Sequence, residues 1–136
     1  MSTSAHTTRL EAAQRFVMHI GHRDAEQAMG LLSPHVVYRV HGQHPLAGVF
    51  SGREEVTTHL LRLYERTAGT FDTLKWEDWM IGEEHVAALA SIRLQTAGRM
   101  YTGRHLFLVS FDIDDQISEV VVFFEDERAA ERFFGS

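Results

Sequence analysis

TFDTLKWEDWMIGEEHVAALASIRLQTAGRMYTGRHLFLVSFDIDDQISEVVVFF, residues 70–124, is the stretch that decides the fold. It holds four runs rich in β-branched and aromatic residues: Thr70 to Ile81, His85 to Ala97, Arg99 to Phe111 and Ile117 to Phe124. Turn signals separate them: Gly82-Glu83-Glu84, then Gly98, then the acidic Asp112-Ile113-Asp114-Asp115. Successive strands joined by tight turns pair antiparallel. The second half of the chain therefore reads as a four-strand meander.

Upstream, the period changes. Leu10, Ala13, Phe16, Val17 and Ile20 recur at helical spacing over residues 9–20, with Thr8 and Glu11 as a capping box and Gly21 as a stop. Asp24 caps a short second helix that carries Ala25, Ala28, Met29 and Leu32, and Ser33-Pro34 ends it. His35 to Val40 is a short first strand. Residues 41–51, with one Pro and two Gly, read as a loop. Gly52 to Thr67 returns to helical period through Val56, Leu60 and Leu61, and Ala68-Gly69 closes it. Asp126 caps a tail helix whose Ala129, Ala130, Phe133 and Phe134 are free to pack.

Helices gathered before a meander are an α+β pattern. One face of the sheet needs cover, and the early helices supply it. The expected fold is a cone-shaped, curved antiparallel sheet wrapped around N-terminal helices. Residues 9–136 form one domain, and residues 1–8 form a flexible N-terminus.

Composition narrows the function. The 136 residues include no cysteine, so disulfides, thiolate metal sites and a Cys nucleophile are excluded. This fits a cytoplasmic location. The net charge is −6 and the 13 Lys and Arg are scattered, so no basic patch awaits nucleic acid. No apolar run approaches the roughly 18 residues that span a membrane, and Met1 to Thr8 lacks the apolar core of a signal peptide.

The stretch Val36-Val37-Tyr38-Arg39-Val40-His41-Gly42-Gln43-His44-Pro45-Leu46-Ala47-Gly48, followed by Gly52-Arg53-Glu54-Glu55-Val56, resembles the short strand, PLAG loop and helix start of SnoaL-like proteins. Ile117-Ser118-Glu119-Val120 through Phe123-Phe124-Glu125-Asp126-Glu127 is similar to the last strand and acidic corner of the same family. The chain thus resembles SnoaL-like and ketosteroid-isomerase-like members of the nuclear-transport-factor-two-like superfamily. The resemblance implies a cystatin-like α+β barrel, a homodimer, and a pocket for a small apolar organic ligand that opens near the loop after the first strand. The superfamily hosts isomerases, cyclases, epoxide hydrolases and dehydratases, so the fold alone does not choose among them.

The family's best-known catalytic groups do not carry over. Arg39 stands where a ketosteroid isomerase has its carboxylate base, Phe107 where it has an oxyanion Asp, and Phe16 where a tyrosine would be needed. No Asp-Arg-Asp set crosses the strands as epoxide hydrolysis of this type requires. Val120, Val121 and Val122 leave no late-strand Asp for SnoaL-type cyclisation.

Histidine remains, at nine per chain. A neutral imidazole gives or takes a proton near pH 7. His105, which shares a strand face with Phe107, and His41 at the pocket mouth are the candidates to replace the missing carboxylate. Arg39 and Tyr38 alternate and so face opposite sides. Arg39 turned inward would polarise a carbonyl; Tyr38 turned inward would donate to a ligand oxygen. The family placement favours Arg39. His44, Phe16, Trp79, Tyr101 and Phe107 are candidate ligand contacts, with Trp76 and Trp79 on opposite faces of their strand. No cofactor is implied, and no metal: the pairs His19/His22 and His41/His44 lack a third ligand at a motif spacing.

Three functions follow. The leading one is cofactor-free isomerisation, cyclisation or dehydration of an apolar carbonyl compound. The second is binding without turnover. The third is an interaction protein, dimeric through its sheet, because both faces of the last strand are apolar and a monomer avoids exposing such a patch.

Overall fold

A computed structural model describes residues 3–67, 70–96 and 98–135. The elements run α1 (Thr3–Gly21), α2 (Ala25–Met29), β1 (Leu32–Val40), β2 (Gly48–Ser51), α3 (Gly52–Arg66), β3 (Thr70–Ile81), β4 (His85–Thr96), β5 (Arg99–Phe111), β6 (Ile117–Phe124) and α4 (Glu127–Phe134). All ten make an α+β fold around one six-stranded sheet of order β2-β1-β6-β5-β4-β3.

The meander β3-β4-β5-β6 is antiparallel throughout, as its tight turns dictate. The sheet as a whole is mixed, because β1 lies parallel to β6, with Tyr38 opposite Val120. Only a long connection can join parallel neighbours, and here it is everything from β2 through β5. The sequence expectation of a wholly antiparallel sheet is corrected at this one pairing.

Three boundaries also differ. Helix α1 starts at Thr3, so Thr8 lies inside the helix and not at its cap. Strand β1 starts at Leu32, and Ser33-Pro34 belongs to the strand. The stretch read as a loop contains β2, which pairs antiparallel with β1 over Gly48 to Ser51. Met1-Ser2 of the N-terminus expected to be flexible over residues 1–8, and the helix stop at Ala68-Gly69, lie outside the described residues.

Period-two alternation puts Val86, Ala88, Ala90, Ile92 and Leu94 of β4 on the buried face. On β5 the same face holds Tyr101, His105, Phe107 and Val109. Small residues meet large ones across the ladder: Ala90 opposes His105, and Ala88 opposes Phe107. Helices α1 and α3 cover this face with Phe16, Val17, Ile20, Val56 and Leu60. The α4 helix closes one end with Ala130, Phe133 and Phe134. Each fully buried Leu or Ile contributes about 1.5–3 kcal/mol.

Candidate functional site

Where the inner sheet face meets α1, α3 and α4, the packing leaves a small cavity of about 30 Å³. That is room for about one or two water-sized molecules. Its polar lining is Tyr38, His44, His59 and His105; the rest is apolar, including Phe107, Phe124 and Phe134. No Lys, Arg, Asp or Glu is among the lining residues.

Tyr38 comes from β1. Val36, Tyr38 and Val40 are buried on alternate positions, so Tyr38 points in and Arg39 points out. Arg39 pairs with Glu119 at 3.0 Å, both side chains more than a third exposed. The inward placement of Arg39 is thereby reversed: three apolar neighbours at period two outweigh one charged residue. Burial raises the Tyr38 pKa far above its ordinary value, so the phenol stays protonated. Phe16 does not line the cavity. Its ring stands edge-on to Tyr38, 6.4 Å between centroids, and buttresses it.

His105 lies deep on β5, 3% exposed, with Nε2 3.2 Å from the Tyr101 hydroxyl. Burial pushes its pKa down to about 3, with nearby His44 adding to the effect. The Tyr101 pKa is pushed up to about 12, mainly by burial. The pair depends on Gly103: a Cβ there would lie 2.6 Å from the Tyr101 hydroxyl.

His44 belongs to the loop after β1. Its Nδ1 accepts from the Leu46 amide at 3.2 Å. Burial lowers its pKa, opposed by Glu131, by the His41 carbonyl and by Glu127. Its ring packs at 4.9 Å on Phe134, which α4 delivers. That helix is capped by Asp126, whose carboxylate accepts from the Ala129 amide at 3.0 Å.

His41 sits on the other side. It is exposed and stacks at 4.6 Å on Phe123, whereas the neighbouring Phe124 is the one that lines the cavity. Trp79 also lies outside the cavity, half-buried against Trp76 with centroids 5.2 Å apart. A bulge between Trp76 and Asp78 breaks the alternation that was expected to send these two rings to opposite faces.

His59 escaped the sequence reading. It projects from α3, is 4% exposed, and stacks on Phe50 of β2 at 4.2 Å. Its Nδ1 is buried and has no hydrogen-bond partner among the described residues. Burial first, then Arg62 and His44, lower its pKa to about 4. Its position was legible in the helical period: Val56, His59, Leu60 and Leu63 fall on one stripe.

These parts form an apolar chamber whose polar groups are uncharged at neutral pH. Among the described residues no cluster of His, Asp or Glu could hold a metal ion. No described helix is long and apolar enough to cross a membrane.

No protein-family model matches the chain, and no curated protein matches it. Solved structures do. Bal32a, from a soil-derived mobile gene cassette, superposes with a TM-score of 0.89 at 17% identity, over 96% of this chain and 99% of its own. A cystatin-like-fold protein of unknown function from Xanthomonas campestris gives 0.86 at 24% identity, over 94% and 98%. TerC, crystallised with polyporic acid, gives 0.82 at 14% identity, over 95% and 99%. Several others are NTF2-like proteins, among them one from Burkholderia xenovorans. The chain therefore has the NTF2-like, cystatin-like fold.

Proposed function

We propose that this chain binds a small, uncharged, largely apolar carbonyl compound in its cavity and carries out cofactor-free acid/base chemistry on it, with His105 as the proton carrier. The observation behind this reading is a buried neutral imidazole, oriented by Tyr101, in a chamber with no carboxylate or cation in its lining. TerC, which shares the fold, was crystallised with an organic compound.

The reaction that suits such a base is isomerisation. His105 takes a proton from the carbon beside the carbonyl, and the C–H electron pair moves into an enolate. The imidazolium then returns the proton to another carbon of the same molecule. No net proton leaves, so one imidazole serves both steps, and hydrogen bonds to the enolate oxygen must lower the barrier for so weak a base. In dehydration of a β-hydroxy carbonyl compound the imidazolium gives the proton instead to the departing hydroxyl, which leaves as water; in cyclisation it gives it to the alkoxide formed when the enolate carbon adds to a second carbonyl.

A second reading, binding without turnover, draws support from the small cavity, which must widen to admit an organic ligand. A thermal-shift screen of ketones, followed by turnover assays on those that bind, separates the two. His105→Gln is expected to lower any turnover at least about a hundredfold, the scale of one general acid/base group. Unchanged turnover in that variant would exclude His105.

The outer sheet face supports a homodimer. Leu89, Leu106, Leu108 and Phe123, each half-buried, lie together there, an apolar face that a partner would cover. Sedimentation of Leu108→Arg beside the parent chain tests it: a dimer that survives the charge does not use this face. The lack of cysteine suits a reducing compartment such as the cytoplasm.

A further inference from the structure

Three polar groups in the chamber have no use in the scheme above. One is the Tyr38 hydroxyl, which the chamber wall carries on a residue 3% exposed. The others are His59 and His44, whose buried Nδ1 and Nε2 respectively have no hydrogen-bond partner among the described residues. The rings of Tyr38 and His59 are neighbours, 5.5 Å between centroids, so these two can act on one ligand atom. The other Tyr–His pair of the chamber, Tyr101 with His105, is internally satisfied at 3.2 Å. A buried donor left unpaired costs about as much as a lost hydrogen bond. A fold keeps such a pair cheaply only if something else fills it.

We propose that Tyr38 and His59 form the subsite that reads the ligand: a cradle for an uncharged acceptor oxygen, a ketone carbonyl, on an apolar frame. The inference deepens the reading of the cavity as a ligand site and rests on it. Burial keeps the Tyr38 phenol protonated, so it can offer its O–H. A neutral imidazole carries one N–H and changes tautomer at little cost, so His59 offers a second donor to the same oxygen. A carbonyl oxygen has two lone pairs and accepts both. A carboxylate ligand would lose its hydration with no cation in the lining to replace it, and an ammonium would find no carboxylate.

Location agrees with the role. His59 lines the chamber and also the surface groove formed by Pro34, Phe50 and the start of α3. It is the residue shared by the two. A molecule arriving from the groove meets the Phe50–His59 stack first, so its polar group is read at the entrance while its apolar part moves toward Phe107 and His105.

The test uses two probes of nearly equal shape, cyclohexanone and methylenecyclohexane, which differ in the oxygen. Affinities are measured by calorimetry on the full chain and on Tyr38→Phe, His59→Phe and His105→Phe. The parent chain is expected to prefer cyclohexanone about tenfold, the scale of one buried hydrogen bond. Tyr38→Phe should abolish that preference and leave methylenecyclohexane binding within about twofold; His59→Phe should reduce the preference. Equal affinities in the parent chain, or a preference that survives in Tyr38→Phe and vanishes in His105→Phe, would overturn the assignment. Binding of neither probe would sink the cavity reading itself, and this inference with it. A measurement that needs no variant guards against misfolding. The infrared carbonyl stretch of bound cyclohexanone should fall below its value in hexane, and a hexane-like stretch would overturn the proposal.

Discussion

Lowering the pH from 7.5 to 5.5 should destabilise the fold by about 3 kcal/mol, and the loss comes from the chamber. His105 and His59 have folded pKa values of about 3 and about 4, set mainly by burial. Unfolded, each returns to the ordinary histidine value of about 6.5. Below that value the unfolded chain takes up protons that the folded chain refuses. Stability is therefore complete above pH 6.5 and falls as pH drops, by about 1.4 kcal/mol per unit per histidine. Over the two units chosen, each histidine gives up about one pKa unit's worth, hence about 3 kcal/mol for the pair. His44 shifts in the same direction and adds to it. Carboxylates scarcely titrate in this window, so the signal belongs to imidazole. Urea unfolding followed by tryptophan fluorescence at the two pH values measures it, with unchanged slopes as the check on two-state behaviour. His105→Gln, compared with itself at both values, should show about half the loss; this cancels the cost of the substitution. Superimposable curves for the parent chain would falsify the picture of a dry chamber with neutral rings.

Gly103→Ala places a methyl 2.6 Å from the Tyr101 hydroxyl, inside the buried core. It should cost about 1–3 kcal/mol by overpacking, read as a lowered Tm, and should break the contact to His105, read as a changed His105 imidazole nitrogen shift by NMR. Asp126→Ala removes the α4 cap at Ala129 and should cost about 1 kcal/mol in urea unfolding. Arg39→Ala removes an exposed ion pair, and chemical unfolding should change by less than about 1 kcal/mol. A larger loss there would mean that Arg39 supports the sheet.

The four strands of residues 70–124 were legible because each run is long, apolar and bounded by a strong turn signal. The β2 strand was not. It is four residues long and lies between Gly48 at φ 147° and Gly52 at φ 85°, so composition speaks of a turn. Only pairing with Val37 to Val40 makes it a strand. Parallel pairing of β1 with β6 leaves no local trace either, since register between distant strands is set by packing. Of the candidate site, Tyr38, His44, His105 and Phe107 meet at one cavity, and Tyr101 touches it through His105. Family placement turns Arg39 inward, but the alternation of Val36, Tyr38 and Val40 on β1 turns it out. Trp79 was misplaced by a bulge that no turn residue announces. His59 was passed over because a histidine in a helix reads as polar surface, although its spacing from Val56 and Leu60 set it on the apolar stripe.

The seam between β1 and β6 also bears on how the chain folds. Arg39 and Glu119 stand eighty residues apart in sequence and touch across it. The loop that joins them must close before their contacts reward it, and such closure is slow. The meander of β3 to β6 needs only neighbours and can form early. The chamber cannot: Tyr38 enters it only when β1 docks. Refolding should therefore show the tryptophans of β3 reporting first and the ring contacts of Tyr38 appearing last.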